Sequence, residues 1–381
     1  MERQTSVSQV VIERPQKVAN SNRLPRIGGL AALALAGALA FGCVARPASD
    51  ETAPVVGREP FLIPVVVVKY FPVKDGNIDI SVTGDYGAPL EQTRKHTDAI
   101  TEAVIHGMEQ GSRYHGFKNE KAKPSLKFEI VKTYEFLDPL PTVEKEGHTV
   151  PFTDYNKVMA RIDIKTWVED KGVKEVWLYG YHGGVIGLWE SNMAGPHGDI
   201  SNSDRVTDDL PILKNTYTVY HYNYQRGRGE ALEDHMHQLE AVLNYVDGRD
   251  DTPRDEWPNL LFWGKFVGSD RSSKMIPTEE GFCRCGWSHY PPNALGDYDW
   301  QNKRVVMSDI EDWRPDGTGE KKPVTSDIWG SDSYTWFIYW IQSIPGKDNG
   351  LTHNGKAVRN WWLFIAHFDY AMENKMKLTV E

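Results

Sequence analysis

Apolar residues recur along this chain in three rhythms, and each rhythm predicts a different element. In Phe61 to Phe71 (FLIPVVVVKYF) they run without interruption and are rich in valine, the pattern of a strand covered on both faces in a parallel sheet. In Ser125 to Phe136 (SLKFEIVKTYEF) they alternate, which predicts a half-buried strand. Val173 to Tyr181 and Thr216 to Tyr224 (TYTVYHYNY), dense in β-branched and aromatic residues, predict two more. The third rhythm is helical. Leu232, Met236, Leu239, Leu243 and Val246 form a stripe over Gly229 to Val246, and Ile100, Val104 and Met108 do the same within Pro89 to Gln110. Asp154 is placed to cap a further helix through Asp170, with Gly172 as its stop.

Strands alternating with helices predict βαβ units and an α/β fold, with an open, mostly parallel sheet and flanking helices. From Asp247 the texture changes. Turn residues dominate to about Ser331, interrupted by a short strand expected near Leu260 to Val267. Two helices are expected at the C-terminus, around Asp332 to Ser343 and Lys356 to Asn374. Ten of the thirteen tryptophans lie from Trp257 onward, so the C-terminal region is both loop-rich and Trp-rich.

The N-terminus follows none of these rhythms. Arg23 and Arg26 precede Ile27 to Gly42 (IGGLAALALAGALAFG), an apolar run too short for a comfortable membrane span, and Cys43 ends it. A basic region, a short apolar core and small residues describe an export signal. Ala40-Phe41-Gly42-Cys43 resembles the lipobox of bacterial lipoproteins, which implies lipid attachment at Cys43 and a membrane-anchored or secreted protein of the cell envelope. The expected organisation is therefore an export signal over 1–43, a disordered tether over 44–58, an α/β core over 59–250 and a C-terminal region over 251–381 packed on that core.

The formal net charge is −10, and the leader is itself net basic, so the remainder is more acidic still. Such a surface repels phosphate backbones, and no basic cluster with interleaved aromatics offsets it, which argues against nucleic acid as a partner. An extracellular polymer or a small molecule suits an exported protein better.

Three stretches carry groups capable of chemistry. In open α/β sheets ligands bind beyond the carboxyl ends of the strands. His182-Gly183-Gly184 ends the strand Val173 to Tyr181, and Glu190, Asn192 and His197 follow on its loop. Histidine and carboxylate are the side chains most readily tuned for proton transfer near neutral pH, so Glu190 is the expected general acid or base, His182 a positioning or catalytic group, and Asn192 a substrate contact. His182-Gly183 resembles the histidine block of caspase-like peptidases, but the next strand ends without the cysteine that family requires. His-Gly-Gly resembles the oxyanion loop of lipases and esterases, but no serine lies in a G-x-S-x-G elbow.

In EALEDHMHQLEAVL, Glu233, His237 and Glu240 are spaced i, i+4, i+7 and share one helix face. His237-x-x-Glu240 resembles the paired zinc ligands of the carboxypeptidase A family, which implies a later histidine, His289 or His353, as third ligand. A solvated charged flank accounts for the same spacing. GFCRCGWSHYPPNALGDYDWQN, Gly281 to Asn302, joins Cys283, Cys285 and His289, soft ligands suited to zinc, to Asp297 and Asp299, which suit calcium. Trp300 beside Asp299 is a natural sugar contact, with the indole taking the ring face and the carboxylate its hydroxyls. Three expectations follow: a hydrolase of cell-envelope or extracellular glycan or peptide with a His182/Glu190 site, a metal-dependent hydrolase with a divalent zinc or calcium ion, and a non-catalytic carbohydrate-binding lipoprotein.

Overall fold

The computed structural model describes residues 59–270 and 274–381; the export signal, Cys43 and the tether lie outside the described residues. The long apolar run forms β1 (Phe61–Tyr70), buried at every position from Val65 onward. It lies between β2 (Leu126–Phe136) and β3 (Glu175–Gly180), parallel to both, which is why it has no polar face. The short β4 (Ser191–Ala194) runs antiparallel to β5 (Tyr217–Asn223), and β5 runs parallel to β3. The sheet order is β2-β1-β3-β5-β4. This is an α/β fold with a mostly parallel sheet, as the rhythms predict. β2 alternates because it is an edge strand, whereas β3 is buried along its whole length.

The chain leaves β1 for β2 on one side and returns to β3 on the other. Connections therefore diverge at the carboxyl ends of β1 and β3, the position where open sheets form a crevice. The loop 181–190 and the turn 224–227 both emerge at that end.

The helices are α1 (Leu90–Gly111), α2 (Tyr155–Arg161), α3 (Arg228–Val246) and α4 (Ser333–Ile341). α3 packs on β5, and α1, α3 and α4 pack on one another. Gly107 makes that three-helix contact feasible: a Cβ there would come within 2.8 Å of a Leu232 methyl and 3.2 Å of the Tyr334 ring. Asp154 caps α2 by accepting from Lys157 N–H at 3.0 Å, but the helix stops at Arg161 and resumes as a π-helical turn at Thr166–Asp170.

Two expectations about the C-terminal half are corrected. Leu261–Val267 is a π-helical segment, not a strand; Phe262, Phe266 and Val267 are buried together, so its apolar run serves a packed turn rather than a pleat. The region expected as one helix over Lys356 to Asn374 is a small hairpin (Thr352–His353 with Lys356–Ala357) followed by two short helices, Trp362–Ala366 and Phe368–Glu373.

The tryptophans explain how a region with few strands stays ordered. A loop without a ladder buries backbone carbonyls that need donors, and an indole brings one N–H together with a large apolar surface. Trp300 and Trp336 both donate to Ser288 O at 2.9 Å, Trp340 to Gly286 O at 3.0 Å, Trp313 to Lys265 O at 2.7 Å and Trp329 to Trp300 O at 3.0 Å. Among the described residues no helix is long and apolar enough to cross a membrane.

Candidate functional site

The polar face of α3 is covered, not solvated. Glu233 is 8% exposed and Glu240 6%, and the loop carrying His289 lies across them. Glu240 joins helix to loop: one carboxylate oxygen accepts Ser288 N–H at 2.9 Å, and the other lies 3.2 Å from His237 Nδ1. His289 Nε2 lies 2.8 Å from Glu233 Oε1 and 3.0 Å from His237 Nε2, while its Nδ1 is 2.9 Å from Asp297 Oδ1. The His289 ring stacks on Trp287 and sits under Tyr298, with centroids 5.0 and 4.1 Å away.

The tautomers decide what this cluster can hold. A carboxylate only accepts hydrogen bonds, so Glu240 and Asp297 place a hydrogen on the Nδ1 of each imidazole. In the neutral rings the two Nε2 lone pairs then face each other at 3.0 Å and also face the Glu233 carboxylate. Such an array requires a cation among its three acceptors. Burial by itself would raise the Glu233 carboxyl, but where the cation is a proton on the rings, hydrogen bonds from His237 and His289 override it and hold the group at about 2. Burial would likewise strip His237 of its proton, but Glu233, Glu240 and Glu190 hold it well above its ordinary value.

The same geometry suits a metal ion. Glu233, His237 and His289 each present one ligand atom, all within 4.8 Å of one another. Their edges are 2.8, 3.0 and 3.6 Å, against roughly 3.3–3.4 Å for a tetrahedron of zinc ligands at about 2.0–2.1 Å. Imidazoles backed by carboxylates on the far nitrogen are the usual outer support of such ligands. Two imidazoles and one carboxylate favour zinc over calcium, which takes oxygen ligands.

Glu190 flanks the cluster, its Oε2 3.8 Å from His237 Nε2 and held by the Asn202 amide at 2.6 Å. The residue is placed by the sheet: it immediately precedes β4, and its carbonyl accepts His221 N–H from β5 at 3.3 Å. Its carboxylate opens onto a cavity of about 420 Å³ that is also lined by His182, Trp189, Asn202, His221 and Asp234. Burial, reinforced by the charge of Glu190, pushes the Asp234 carboxyl well up.

His182 lines this cavity from the strand tip. Its backbone N–H donates to Gln225 Oε1 at 2.6 Å, and its Nδ1 bonds Ile186 O. Gly183 and Gly184 both have left-handed φ, 48° and 75°, and a side chain at Gly183 would strike Thr83 O, so the glycine pair makes the turn.

The remaining expected site residues lie elsewhere. Asn192 is fully buried within β4 and offers no surface for a substrate contact. Asp299 accepts from Leu295 N–H and the Asn302 amide, and the Trp300 indole N–H donates to Ser288 O, so both brace the loop, outside the cavity beside Glu190. His197 lies 3.9 Å from Asp369, whose carboxylate binds Thr216 at the opposite end of β5. His353 sits in the C-terminal hairpin, outside the cluster of Glu233, His237 and His289. Cys283 and Cys285 are buried free thiols. Sequence reasoning did not single out Asp234, Asn202, Trp189 or Tyr298; none stands in a recognisable spacing with the others. Comparison with models of known protein families and with curated proteins finds no match to this chain.

Proposed function

We propose that this chain is an exported, metal-dependent hydrolase in which Glu233, His237 and His289 hold a zinc ion and Glu190 handles the proton of the attacking water. One observation carries the reading: both imidazoles have their Nδ1 nitrogens on carboxylates, so their Nε2 lone pairs converge on the Glu233 oxygen. When bound, zinc supplies Lewis acidity toward a carbonyl and toward water. Glu190 is poised at the edge of the cluster, fixed by Asn202 and open to the cavity, and accepts the proton that water loses as its oxygen adds to the scissile carbon. Asp234, which lines the same cavity, contacts the substrate there. The substrate is glycan or peptide of the cell envelope or its surroundings, reached by export through the leader and a lipid anchor at Cys43.

Elemental analysis of protein purified without chelator tests the reading. It should show about one zinc per chain, lost in His237→Ala and in His289→Ala. Hydrolysis of peptidoglycan, polysaccharide or casein should vanish on chelation, return with zinc, and be lost in Glu190→Gln while zinc is retained. Protein without bound zinc, or turnover that survives complete chelation, would eliminate the proposal.

A further inference from the structure

Glu190, which flanks the cluster, opens onto the first of two neighbouring cavities. Beside the 420 Å³ cavity lies a second, of about 320 Å³, lined by Glu144, Lys145, Phe152, Asp208 and Asp209, and Trp189 belongs to the walls of both. Each volume falls within the roughly 300–1,000 Å³ usual for small-molecule sites. Trp189 is braced as a partition, with Phe152 at a centroid distance of 4.8 Å and the Lys145 ammonium 4.4 Å from its ring centre.

The first chamber has a polar wall backed by buried groups. His221 is 1% exposed; its Nδ1 meets the Tyr155 hydroxyl at 3.2 Å, while its Nε2 has no partner. Asp234 is 6% exposed and lines the same chamber. The His221 Nε2 faces Gly180, where a Cβ would come within 2.4 Å of it, so the imidazole closes the chamber wall, and the polar groups that a ligand can meet are Glu190, Asp234 and Asn202.

Charge narrows the ligand. Glu190, Glu230 and Asp234 line the first chamber against Arg226, and Glu144, Glu146, Asp208 and Asp209 line the second against Lys145. A polyanionic chain would be repelled in both chambers. Carboxylates and the amides of Asn202 and Asn223 suit the hydroxyls of a sugar, and aromatic faces suit its C–H face. Tyr298, 52% exposed and lying over His289, supplies such a face at the cluster, as Trp189 does at the partition.

We infer that the two chambers are adjacent subsites for a neutral oligosaccharide, with the reacting unit beside Glu190 and the next unit beyond Trp189. The inference rests on the proposed hydrolase for where the reacting bond lies, but binding itself requires no metal.

Titration calorimetry on chelated and zinc-loaded protein tests it, using cellobiose, cellotetraose, chitobiose, chitotetraose and tetragalacturonate. In a neutral series affinity should rise about tenfold or more from disaccharide to tetrasaccharide, and tetragalacturonate should not bind. Trp189→Leu should erase the gain with length, and Tyr298→Ala should weaken short and long ligands alike, both with zinc content unchanged. If Trp189→Leu is unfolded by circular dichroism, Lys145→Ala and Asp208→Asn, on the second chamber's outer wall, should reduce the length effect instead. No binding of any neutral oligosaccharide, equal binding of the anionic one, or affinity independent of length would overturn the inference. Because the chelated protein is measured too, a protein that binds sugar without ever holding zinc would sink the hydrolase reading and leave this one standing; zinc without sugar would do the reverse.

Discussion

Helix α3 and the Gly281 to Asn302 loop deliver residues to the same cluster by different physics. In α3 the backbone does the positioning: helical spacing alone puts Glu233, His237 and Glu240 on one face, and burial against β5 and α1 keeps the helix in place. The loop has no such repeat. His289 is set by tertiary hydrogen bonds: the loop's own Trp300 and Trp336 of α4 donate to Ser288 O, Trp340 of α4 donates to Gly286 O, and Ser288 N–H donates to Glu240. A helix face tolerates loss of one neighbour, whereas a loop held by a few buried hydrogen bonds moves when one is removed.

The largest effect separates ligands from their supports. Glu233→Ala, from the helix, and His289→Ala, from the loop, should each cost more than about 100-fold in zinc affinity, beyond the roughly 10–100-fold typical of outer-shell losses. Competition with a chromogenic chelator reads this directly. A loss in only one of the two would mean that the halves do not share a cation.

Next comes the difference in how the halves are held. Trp336→Phe leaves the Ser288 carbonyl with one indole donor rather than two and opens a small cavity, so it should destabilise the fold by about 2–4 kcal/mol in denaturant melts. It should also weaken zinc binding although it touches no ligand. A comparable core truncation under α3, Leu239→Ala, should cost similar stability with little change in zinc affinity, because the helix keeps its own geometry.

Smaller effects distinguish the supports. Glu240→Gln should reduce zinc affinity about 10–100-fold, and Asp297→Asn by less, since Glu240 is buried and serves two partners whereas the Asp297 side chain is half exposed. Equal losses would show that Glu240 does not tie helix to loop.

A separate effect, outside that ranking, lies away from the cluster, at the start of β3. Burial pushes the Glu175 carboxyl up to about 8, with the Trp177 indole N–H and Lys174 opposing. From the ordinary value of 4.5 up to about 8, the unfolded chain has lost this proton while the folded chain keeps it. The contribution to stability is therefore full below 4.5 and is lost as pH rises through about 8, with a slope of at most about 1.4 kcal/mol per pH unit. Glu175→Gln should flatten the change in melting free energy between pH 5 and pH 8 relative to the parent chain. An unchanged slope would show that Glu175 titrates normally.

Much of the sheet and half of the cluster were readable before any coordinates. The uninterrupted apolar run of β1 and the alternation of β2 report the number of faces each strand buries, a local consequence of its place in the sheet. The Glu233, His237, Glu240 spacing follows from helix geometry alone. Other features were not readable. β4 is four residues long and too short to show a period, and Leu261–Val267 has a strand's composition in a π-helical turn. The polar face of α3 reads the same whether water or a loop covers it.

Local periodicity, then, specifies strands, helices and the face a side chain occupies, because it depends only on backbone geometry within a few residues. Whether Glu233 and His237 form a solvated flank or a converging ligand set depends on a segment about fifty residues downstream, held there by its own Trp300 and by two tryptophans of α4. Burial and convergence are properties of pairs of surfaces, and no single stretch of chain contains both members of the pair.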